Sequence, residues 1–242
     1  MKIAVIIPTL NEAANMALLI PRIHHALKHD YTIVVVDDNS TDGTQRVVTD
    51  YQERYSVKLI NRPGKMGLAT AVIDGMNSVT PEAYIIMDGD LSHPPELLSV
   101  MRDKLSQCDL VVASRYIDGG GIVGWPLYRR AISRVACKLA RGLSALEDPV
   151  SGYFAIRASC LRGVELSPIG FKIGLECIVR ASVNIHKYTE IPLIFTNRKH
   201  GHSKMGPGEI IGYLKQLNAL YKFMAQSISL QAKALKSGTV KT

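Results

Sequence analysis

The sequence has no long hydrophobic run and no targeting pattern. None of its segments approaches the ~18 consecutive apolar residues with which a helix crosses a bilayer. The N-terminus leads directly into an apolar segment, Ile3–Ile7, which is typical of a buried strand and carries no signal-peptide cleavage pattern. These absences predict a cytoplasmic chain without a membrane-spanning helix.

The sequence also has few aromatic residues and no paired cysteine motif. Its four cysteines lie far apart without a Cys-x-x-Cys spacing, which is typical of reduced thiols in a cytosolic protein. Aromatic residues make up 6% of the chain, and no aromatic-plus-basic motif of a single-strand nucleic-acid binder is present. The net charge of +8 therefore favours phosphorylated substrates or an anionic membrane surface as partners, and we expect no nucleic acid.

The composition favours one globular unit. A length of 242 residues and a hydrophobic content of 47% allow a sizeable core, and no repeat or linker divides the chain. We predict a single domain over residues 1–228 that ends in an amphipathic helix, followed by a flexible tail over 229–242.

In the first half, short apolar strands alternate with helices. Strands are predicted over 3–7, 32–36, 57–60, 83–87 and 110–113. Helices are predicted over 12–29, 41–55, 67–78 and 95–106, and Ser40 or Thr41 is expected to cap the second of them. Continuous apolar strands of this kind predict an α/β fold with a parallel sheet that is covered on both faces. Ligands of such sheets bind at the carboxyl ends of the strands.

Polar residues follow these strands, and the most informative are the two acids of Asp88-Gly89-Asp90. Two carboxylates at the end of a strand suit a hard divalent cation, which prefers a few carboxylates together with substrate phosphates. The small Gly89 lets a ligand approach the backbone closely. The alternative is a turn that caps the next helix, because Asp, Ser and Pro favour turns and helix starts.

The second half is less regular. A glycine-rich loop over Gly119–Gly124 fits Gly-x-Gly-x-x-Gly, but it does not form the first strand-to-helix turn that dinucleotide binding requires. We predict helices over 126–143, around residue 176 and from 209 onward, and strands over 153–156 and 189–195. The helix after Pro126 carries an apolar stripe and a separate basic face. Its pattern favours a surface helix packed by that stripe, and a helix lying on an anionic membrane is the alternative. The stripe is formed by Leu127, Ala131, Ile132, Val135 and Leu139.

Taken together, these motifs resemble a known family. Four segments are similar to family 2 glycosyltransferases of the GT-A fold, namely Pro8–Glu12, Asp37–Thr44, Asp88–Pro94 and Ser114–Tyr116. Three more resemble polyprenol (dolichol) phosphate mannosyltransferases, namely Gly119–Pro126, Asp148–Phe154 and Arg198–Met205. The resemblance extends from Ile3 to about Tyr221. It implies a Rossmann-like, mostly parallel sheet with helices on both faces.

The resemblance implies inverting transfer of mannose from GDP-mannose to a polyprenyl (dolichyl) phosphate with Mg²⁺ or Mn²⁺. By position, the metal ligands would be Asp88, Asp90 and Ser92. Besides the two acids, the residues that would bind the nucleotide sugar are Pro8, Leu10, Glu12, Val36, Asp38, Gly89, Arg115, Arg198 and Lys204. The residues expected to act in catalysis are Asp90, Arg115, Arg198 and Lys204, and the acceptor phosphate would be bound by Arg115, Arg129 and Arg198. Leu10 departs from the tyrosine that is usual in the family, which leaves base stacking open.

The chemistry is consistent with this set of residues. A phosphate monoester has a second pKa of about 6, so it is mostly dianionic at neutral pH and needs no strong general base. The sequence accordingly shows no Ser-His-Asp or Cys-His set. The enzyme would lie peripherally on the cytoplasmic face of a membrane, attached by its helices or by a small membrane-spanning partner.

Three other functions remain open at this point. A polyprenyl-phosphate glucosyltransferase that uses UDP-glucose would need almost the same motifs. A non-catalytic nucleotide-sugar-binding subunit would not need both acids and the second phosphate site, and a basic lipid- or nucleic-acid-binding protein would be indifferent to metal.

Several single residues also have structural alternatives. Glu12 and Asp38 would cap the helices that follow them, His93 would be a loop residue, and Glu176 would pair with a buried arginine instead of reaching the acceptor site.

Overall fold

The computed structural model describes residues 1–167, 169–196 and 206–236. A seven-stranded sheet has the order β3-β2-β1-β4-β7-β5-β8, and β6 and β9 form a separate two-stranded parallel sheet. The strands are β1 (Ile3–Thr9), β2 (Tyr31–Asp37), β3 (Val57–Asn61), β4 (Ala83–Ile86), β5 (Leu110–Ser114), β6 (Gly121–Val123), β7 (Phe154–Arg157), β8 (Tyr188–Pro192) and β9 (Ile194–Thr196). In the larger sheet β7 runs antiparallel to its two neighbours, and the other pairs are parallel. The predicted mostly parallel sheet is confirmed.

Helices cover both faces of the sheet because successive residues of each strand point to opposite sides. They are α1 (Ala13–Leu27), α2 (Thr44–Gln52), α3 (Leu68–Asn77), α4 (Leu97–Lys104), α5 (Leu127–Ala140), α6 (Ile173–Arg180) and α7 (Pro207–Lys236). On β1, Ile3, Val5 and Ile7 join the core beneath α1 and α4. Ala4 and Ile6 join a second core beneath α3 and α6. The apolar strands β1, β2, β4 and β5 are therefore mostly buried on both sides, whereas β3, at the edge of the sheet, is partly exposed.

A third core forms among α5, α6 and α7, beside the large sheet. Two tyrosine hydroxyls of α7 donate to carbonyl oxygens of α5. Tyr213 donates to Ala136 O over 2.7 Å, and Tyr221 donates to Leu139 O over 2.7 Å. These bonds set the rotation of α5 about its axis.

The helix α5 does not pack by the predicted stripe, so that interpretation was wrong. Its buried residues are Ser133, Cys137 and Ala140. The apolar stripe faces outward, with Leu127 82% and Val135 58% exposed. The helix uses small side chains for close packing against α7, which leaves the larger apolar side chains on the opposite face. Among the described residues, none of the helices is long and apolar enough to cross a membrane.

Some boundaries differ from the predictions. The helix α2 begins after Gly43, which has a φ of 92°, and neither Ser40 nor Thr41 caps it. The Ser40 hydroxyl instead donates to Asp37. Residues 121–123 of the glycine-rich loop form β6, because β9 offers a partner strand far along the chain. The predicted strand over 189–195 is split into β8 and β9, and α7 continues beyond 228 to Lys236, through residues without Gly or Pro.

Candidate active site

Four parallel strands, β1, β2, β4 and β5, end at one edge of the large sheet. Since β7 runs antiparallel to β4 and β5, the turn before it, residues 148–153, enters at the same edge. The structure therefore brings the predicted motifs of the first half together with the turn of the second half. This edge is where ligands of open α/β sheets bind.

The loop after β4 is held by His93, which is 2% exposed. The backbone N–H of Asp88 donates to His93 Nδ1 over 2.9 Å, and His93 Nε2 lies 3.8 Å from Asp88 Oδ2. Burial lowers the pKa of His93 against the opposing effect of Asp88 and Asp90, so the ring is neutral and its proton is on Nε2. The ring stacks on Tyr153 with centroids 4.8 Å apart. His93 is thus a loop residue, as predicted, and it is buried where it supports Asp88.

Asp90 and Ser92 form a tight local turn. The Ser92 hydroxyl donates to Asp90 Oδ1 over 2.5 Å, and the Ser92 backbone N–H donates to the same oxygen over 3.1 Å. Between them Leu91 adopts a φ of 63°, a left-handed conformation that is uncommon for such a residue. Backbone strain of this kind is concentrated at functional sites. The bonds fix the orientation of the Asp90 carboxylate.

Glycines on either side shape the space around Asp88. A Cβ at Gly152 would lie 3.8 Å from each carboxylate oxygen of Asp88, so the absence of a side chain leaves those oxygens accessible. A Cβ at Gly89 would instead lie 2.9 Å from Met16 Cε, because this glycine packs against the core. Packing therefore explains Gly89, and its predicted contact with the sugar nucleotide stays a prediction.

The acids suit a cation that is completed by substrate. Among the described residues, no group of three or more His, Cys, Asp or Glu side chains is arranged to hold a metal ion. Asp88 is 37% exposed beside the gap at Gly152. Mg²⁺ and similar ions accept one or two carboxylates together with phosphate oxygens and water. The residues therefore fit a metal that binds with a diphosphate, with Asp88 and Asp90 as its protein ligands.

The loops after β1 and β2 hold each other in place. Asn11 N–H donates to Ser40 Oγ over 2.7 Å, and Thr41 N–H donates to Asn11 Oδ1 over 2.9 Å. Asp42 Oδ2 accepts the N–H of Ala13 over 2.9 Å and so caps α1 from the neighbouring loop. Glu12 occupies the N-cap position of α1 without a side-chain capping bond, so the capping alternative for Glu12 was wrong.

Asp38 is one half of a buried ion pair. Arg62 Nη1 donates to Asp38 Oδ1 over 2.7 Å, and the two side chains are 3% and 8% exposed. Asp38 Oδ2 accepts the backbone N–H groups of Met66 and Gly67. Arg62 thus fixes Asp38 and the loop before α3, and Asp38 does not cap the helix that follows it. Near this pair, Pro8 and Leu10 are partly exposed at the end of β1, whereas Val36 is buried.

A second buried ion pair joins the end of β5 to the turn before β7. Arg115 donates from Nε and Nη2 to the two carboxylate oxygens of Asp148, each over 2.7 Å. Although burial disfavours both charges, Arg115 keeps the pKa of Asp148 below its usual value, and Asp148 raises that of Arg115. The sequence indicated Asp148 only as part of the segment Asp148–Phe154 and did not predict this role. Arg115 is 8% exposed, and its Nη1 is not used by Asp148.

Trp125 lies between two of the predicted phosphate-binding arginines. The Arg129 guanidinium carbon is 4.0 Å from the Trp125 ring centroid, and that of Arg115 is 5.8 Å away. Phe195 packs edge-on against Trp125 at 5.2 Å and against His93 at 5.8 Å. This row of rings brings the start of α5 close to the loop after β4. The structure thus brings together Arg115 and Arg129, as predicted.

Lys172 also faces this site, although sequence analysis did not identify it. Its Nζ donates to Val150 O over 3.0 Å. Burial, together with the nearby Arg115 charge, lowers the pKa of Lys172 to about 8, against the opposing effect of Asp148 and Asp88. The sequence around it, Phe171-Lys172-Ile173-Gly174, gives no signal that a single lysine would be enclosed.

Other predicted residues are less central. Glu176 accepts from Arg180 Nε and from Ser167 N–H, so it pairs with an arginine as the alternative stated, although Arg180 is only partly buried, at 18% exposed. The predicted residues Arg198 and Lys204 lie outside the described residues.

Residues 4–164 match the family described as Glycosyl transferase family 2. The chain is 39% identical over 229 residues to a dolichol-phosphate mannosyltransferase of Pyrococcus furiosus, covering 92% of this chain and 64% of that protein. It is 36% identical over 234 residues to one from Mycosarcoma maydis, covering 91% of this chain and 79% of that protein. It is 33% identical over 232 residues to one from Saccharomyces cerevisiae, covering 91% of this chain and 87% of that protein. The chain therefore spans less than two thirds of the archaeal relative.

Solved structures agree on the fold. S. aureus TarS has a TM-score of 0.64 at 17% identity, covering 91% of this chain and 65% of that chain. Glucosyl-3-phosphoglycerate synthase from Mycobacterium tuberculosis, in complex with Mn²⁺, uridine diphosphate and phosphoglyceric acid, has a TM-score of 0.65 at 18% identity, covering 91% and 77%. These similarities confirm the predicted GT-A fold.

Proposed function

Because this chain belongs to glycosyltransferase family 2, in the group of the dolichol-phosphate mannosyltransferases, we propose that it transfers mannose from GDP-mannose to dolichyl or another polyprenyl phosphate. The reaction inverts the anomeric carbon. The observation that carries this proposal is the sheet edge where Asp88 and Asp90 lie near the buried Arg115 and the partly buried Lys172. Two acids suit a metal–diphosphate donor, and nearby cations suit a second, phosphorylated substrate.

Asp88 and Asp90, with Ser92 beside them, would hold Mg²⁺ or Mn²⁺. A divalent ion there supplies charge that neutralises the leaving nucleoside diphosphate. Ser92 keeps the Asp90 carboxylate in one orientation through its two hydrogen bonds, and His93 does the same for the backbone of Asp88. The complex of glucosyl-3-phosphoglycerate synthase with Mn²⁺ and uridine diphosphate is a precedent for a metal–nucleotide pair on this fold.

The loops after β1 and β2 would bind the nucleoside. Asp38 is held rigidly by Arg62 and two backbone N–H groups, so it presents a fixed acceptor to the base or ribose. Glu12 lies on the adjoining loop as a second acceptor. Pro8, Leu10 and Val36 line the end of the same strands, and Gly89 completes the proposed donor contacts. Because Leu10 lacks a ring, it supplies apolar contact to the base without stacking.

The acceptor would bind on the other side of the acids. Its phosphate is mostly dianionic at neutral pH, since the second pKa of a phosphate monoester is about 6. It attacks without a general base, and the described residues must offset its charge next to the diphosphate. Arg115 and Arg129 provide guanidinium groups that both lie near the Trp125 ring. Arg198 and Lys204 complete the proposed set of phosphate-binding cations.

The lipid part of the acceptor calls for an apolar surface near this site. The helix α5 starts two residues after Trp125 and exposes Leu127, Val135 and Leu139, with basic residues on the same helix. On α7, Ile211 and Leu214 are also half exposed. Exposed apolar side chains together with lysine and arginine favour the interface of an anionic bilayer. We place the enzyme peripherally on the cytoplasmic face of a membrane.

The test is transfer of radiolabelled sugar to a short polyprenyl phosphate, with GDP-mannose and UDP-glucose in parallel and with or without Mg²⁺ or Mn²⁺. The proposal predicts a mannosyl lipid only when metal is present. The variant Asp90→Asn keeps the shape of the side chain and should lower the rate by about 10³-fold, comparable to the loss of one preorganised electrostatic contact. Asp103→Asn, on the exposed face of α4, is the matched control. A glucosyl lipid, or no product from either donor, would contradict the proposal.

A further inference from the structure

Two buried arginines and one partly buried arginine in the described part of the chain each have a carboxylate partner. Arg62 pairs with Asp38 and Arg115 with Asp148, each over 2.7 Å, and Arg180 pairs with Glu176. This is the usual condition for a buried cation, because an unpaired charge away from water is costly. Lys172 is different. Within residues 1–167, 169–196 and 206–236, no carboxylate oxygen lies at ion-pair distance from its Nζ, and the acceptor bonded to it is the carbonyl oxygen of Val150.

The surroundings of Lys172 belong to the active site. Its charge interacts with Asp88 of the loop after β4 and with the Arg115–Asp148 pair. The members of that pair neutralise each other, so Lys172 adds a positive charge that interacts with Asp88 without an ion-pair contact among the described residues. An ammonium group has three donors, and the bond to Val150 O uses one of them.

We propose that Lys172 is a substrate-binding residue of the transfer reaction, whose ammonium group donates to an anionic phosphate oxygen in front of Asp88. This inference rests on the proposed function. Binding of an anionic oxygen would give the partly buried ammonium an anionic partner at ion-pair distance, which the described residues do not provide. Both the diphosphate of the donor and the phosphate of the acceptor offer such an oxygen, so kinetics must distinguish between them.

A purely structural role is the alternative. Lys172 fixes Val150, two residues before Gly152, where an added Cβ would lie 3.8 Å from each carboxylate oxygen of Asp88. In that case loss of the ammonium would loosen the turn over 148–152 and lower stability without a selective effect on phosphate binding. The two roles therefore predict different results. If Lys172 binds phosphate, its loss weakens the binding of a phosphate ligand and a substitution that keeps the positive charge restores part of that binding. If its role is structural, only stability falls.

The experiment compares Lys172→Met, Lys172→Arg and the control Lys58→Met in two-substrate kinetics. Lys58 is a matched control because its Nζ also donates to a backbone carbonyl, Ser78 O over 2.6 Å, but on an exposed surface. We expect Lys172→Met to lower kcat/KM by about 10- to 100-fold, as for loss of one hydrogen bond to a charged group. A raised KM for GDP-mannose would assign the contact to the donor, and a raised KM for the polyprenyl phosphate would assign it to the acceptor. Lys172→Arg should recover part of the loss.

Titration with inorganic pyrophosphate and Mn²⁺ gives a second readout, and thermal melting monitors folding. Weaker pyrophosphate binding by folded Lys172→Met supports the proposal for the donor side. The inference is wrong if folded Lys172→Met matches Lys58→Met in both kinetic constants and in pyrophosphate affinity. It is also wrong if Lys172→Met loses only thermal stability. Absence of transfer by the wild-type chain would instead overturn the proposed function. Because the wild type is assayed beside the variants, this failure is distinguished from failure of the inference about Lys172.

Discussion

The loops after β1 and β2 and the segments that follow β5 lie at the same edge of the sheet, yet they satisfy their polar groups differently. On the β1–β2 side, Asn11 and Ser40 bond to each other's loops, and Asp38 has Arg62 as a buried partner. The chain itself supplies these contacts. This side therefore presents a preformed shape, which suits recognition of one nucleotide.

On the β5 side, the chain leaves more to its ligands. Lys172 is enclosed without a carboxylate at ion-pair distance among the described residues, and α5 turns its larger apolar side chains outward. An anionic phosphate would give Lys172 an ion-pair partner, and a lipid surface would cover the outward apolar side chains of α5. The proposed nucleoside-binding side is thus built by internal contacts, whereas the β5 side combines one internal ion pair with a lysine that suits a phosphate and an apolar surface that suits a lipid.

The largest expected effect is on that internal ion pair. Asp148→Asn leaves Arg115 buried without its carboxylate partner, which should lower the free energy of unfolding by about 3–5 kcal/mol. The control is Glu96→Gln, which removes the exposed pair with Arg22, whose side chains are 45% and 63% exposed. That variant should lower the free energy of unfolding by less than about 1 kcal/mol. Denaturant unfolding measures both, and equal losses would contradict the distinction between the two pairs.

The Arg115–Asp148 pair also predicts how the stability of the folded chain changes with pH. Because hydrogen bonds from Arg115 keep the pKa of Asp148 lower in the folded chain than in the unfolded chain, its contribution is fully present above the usual aspartate pKa. It is lost as the pH falls through the lower, folded value. The Asp148→Asn protein should therefore lose less stability than the wild type over this acidic range.

A smaller effect is expected at the outward face of α5. Val135→Asp should weaken binding to anionic phospholipid vesicles by about tenfold, because it replaces an apolar side chain that we place in the bilayer interface. Val183→Asp is a matched control, since both valines are 58% exposed and Val183 lies outside α5 and α7. Co-sedimentation measures the binding. Equal losses in the two variants would show that α5 is not the contacting surface.

Much of the first half could be predicted because its strands are short, apolar and separated by amphipathic helices. That pattern predicts a two-sided sheet, and the polar residues after each strand then fall at one edge. The errors came from local contacts that a pattern does not contain. Ser40 was expected to cap α2, but it bonds Asp37 and Asn11 instead.

The second half was harder to predict because its contacts join distant segments. The strand β6 depends on β9, about 70 residues later, and Asp148 becomes important only when β7 inserts antiparallel between β4 and β5. The orientation of α5 was misjudged because amphipathicity identifies an apolar face without saying what covers it. Lys172 carried no sequence signal, since its role arises from burial beside Asp88 and Arg115.

The most direct test of the contrast between the two sides is donor binding in the absence of lipid. Calorimetric titration of GDP-mannose with Mn²⁺ into the wild type and Val135→Asp measures the proposed donor side alone. The account predicts the same dissociation constant for both proteins, and loss of binding when the metal is chelated. A weaker donor affinity of Val135→Asp, or binding that is unaffected by chelation, would contradict it.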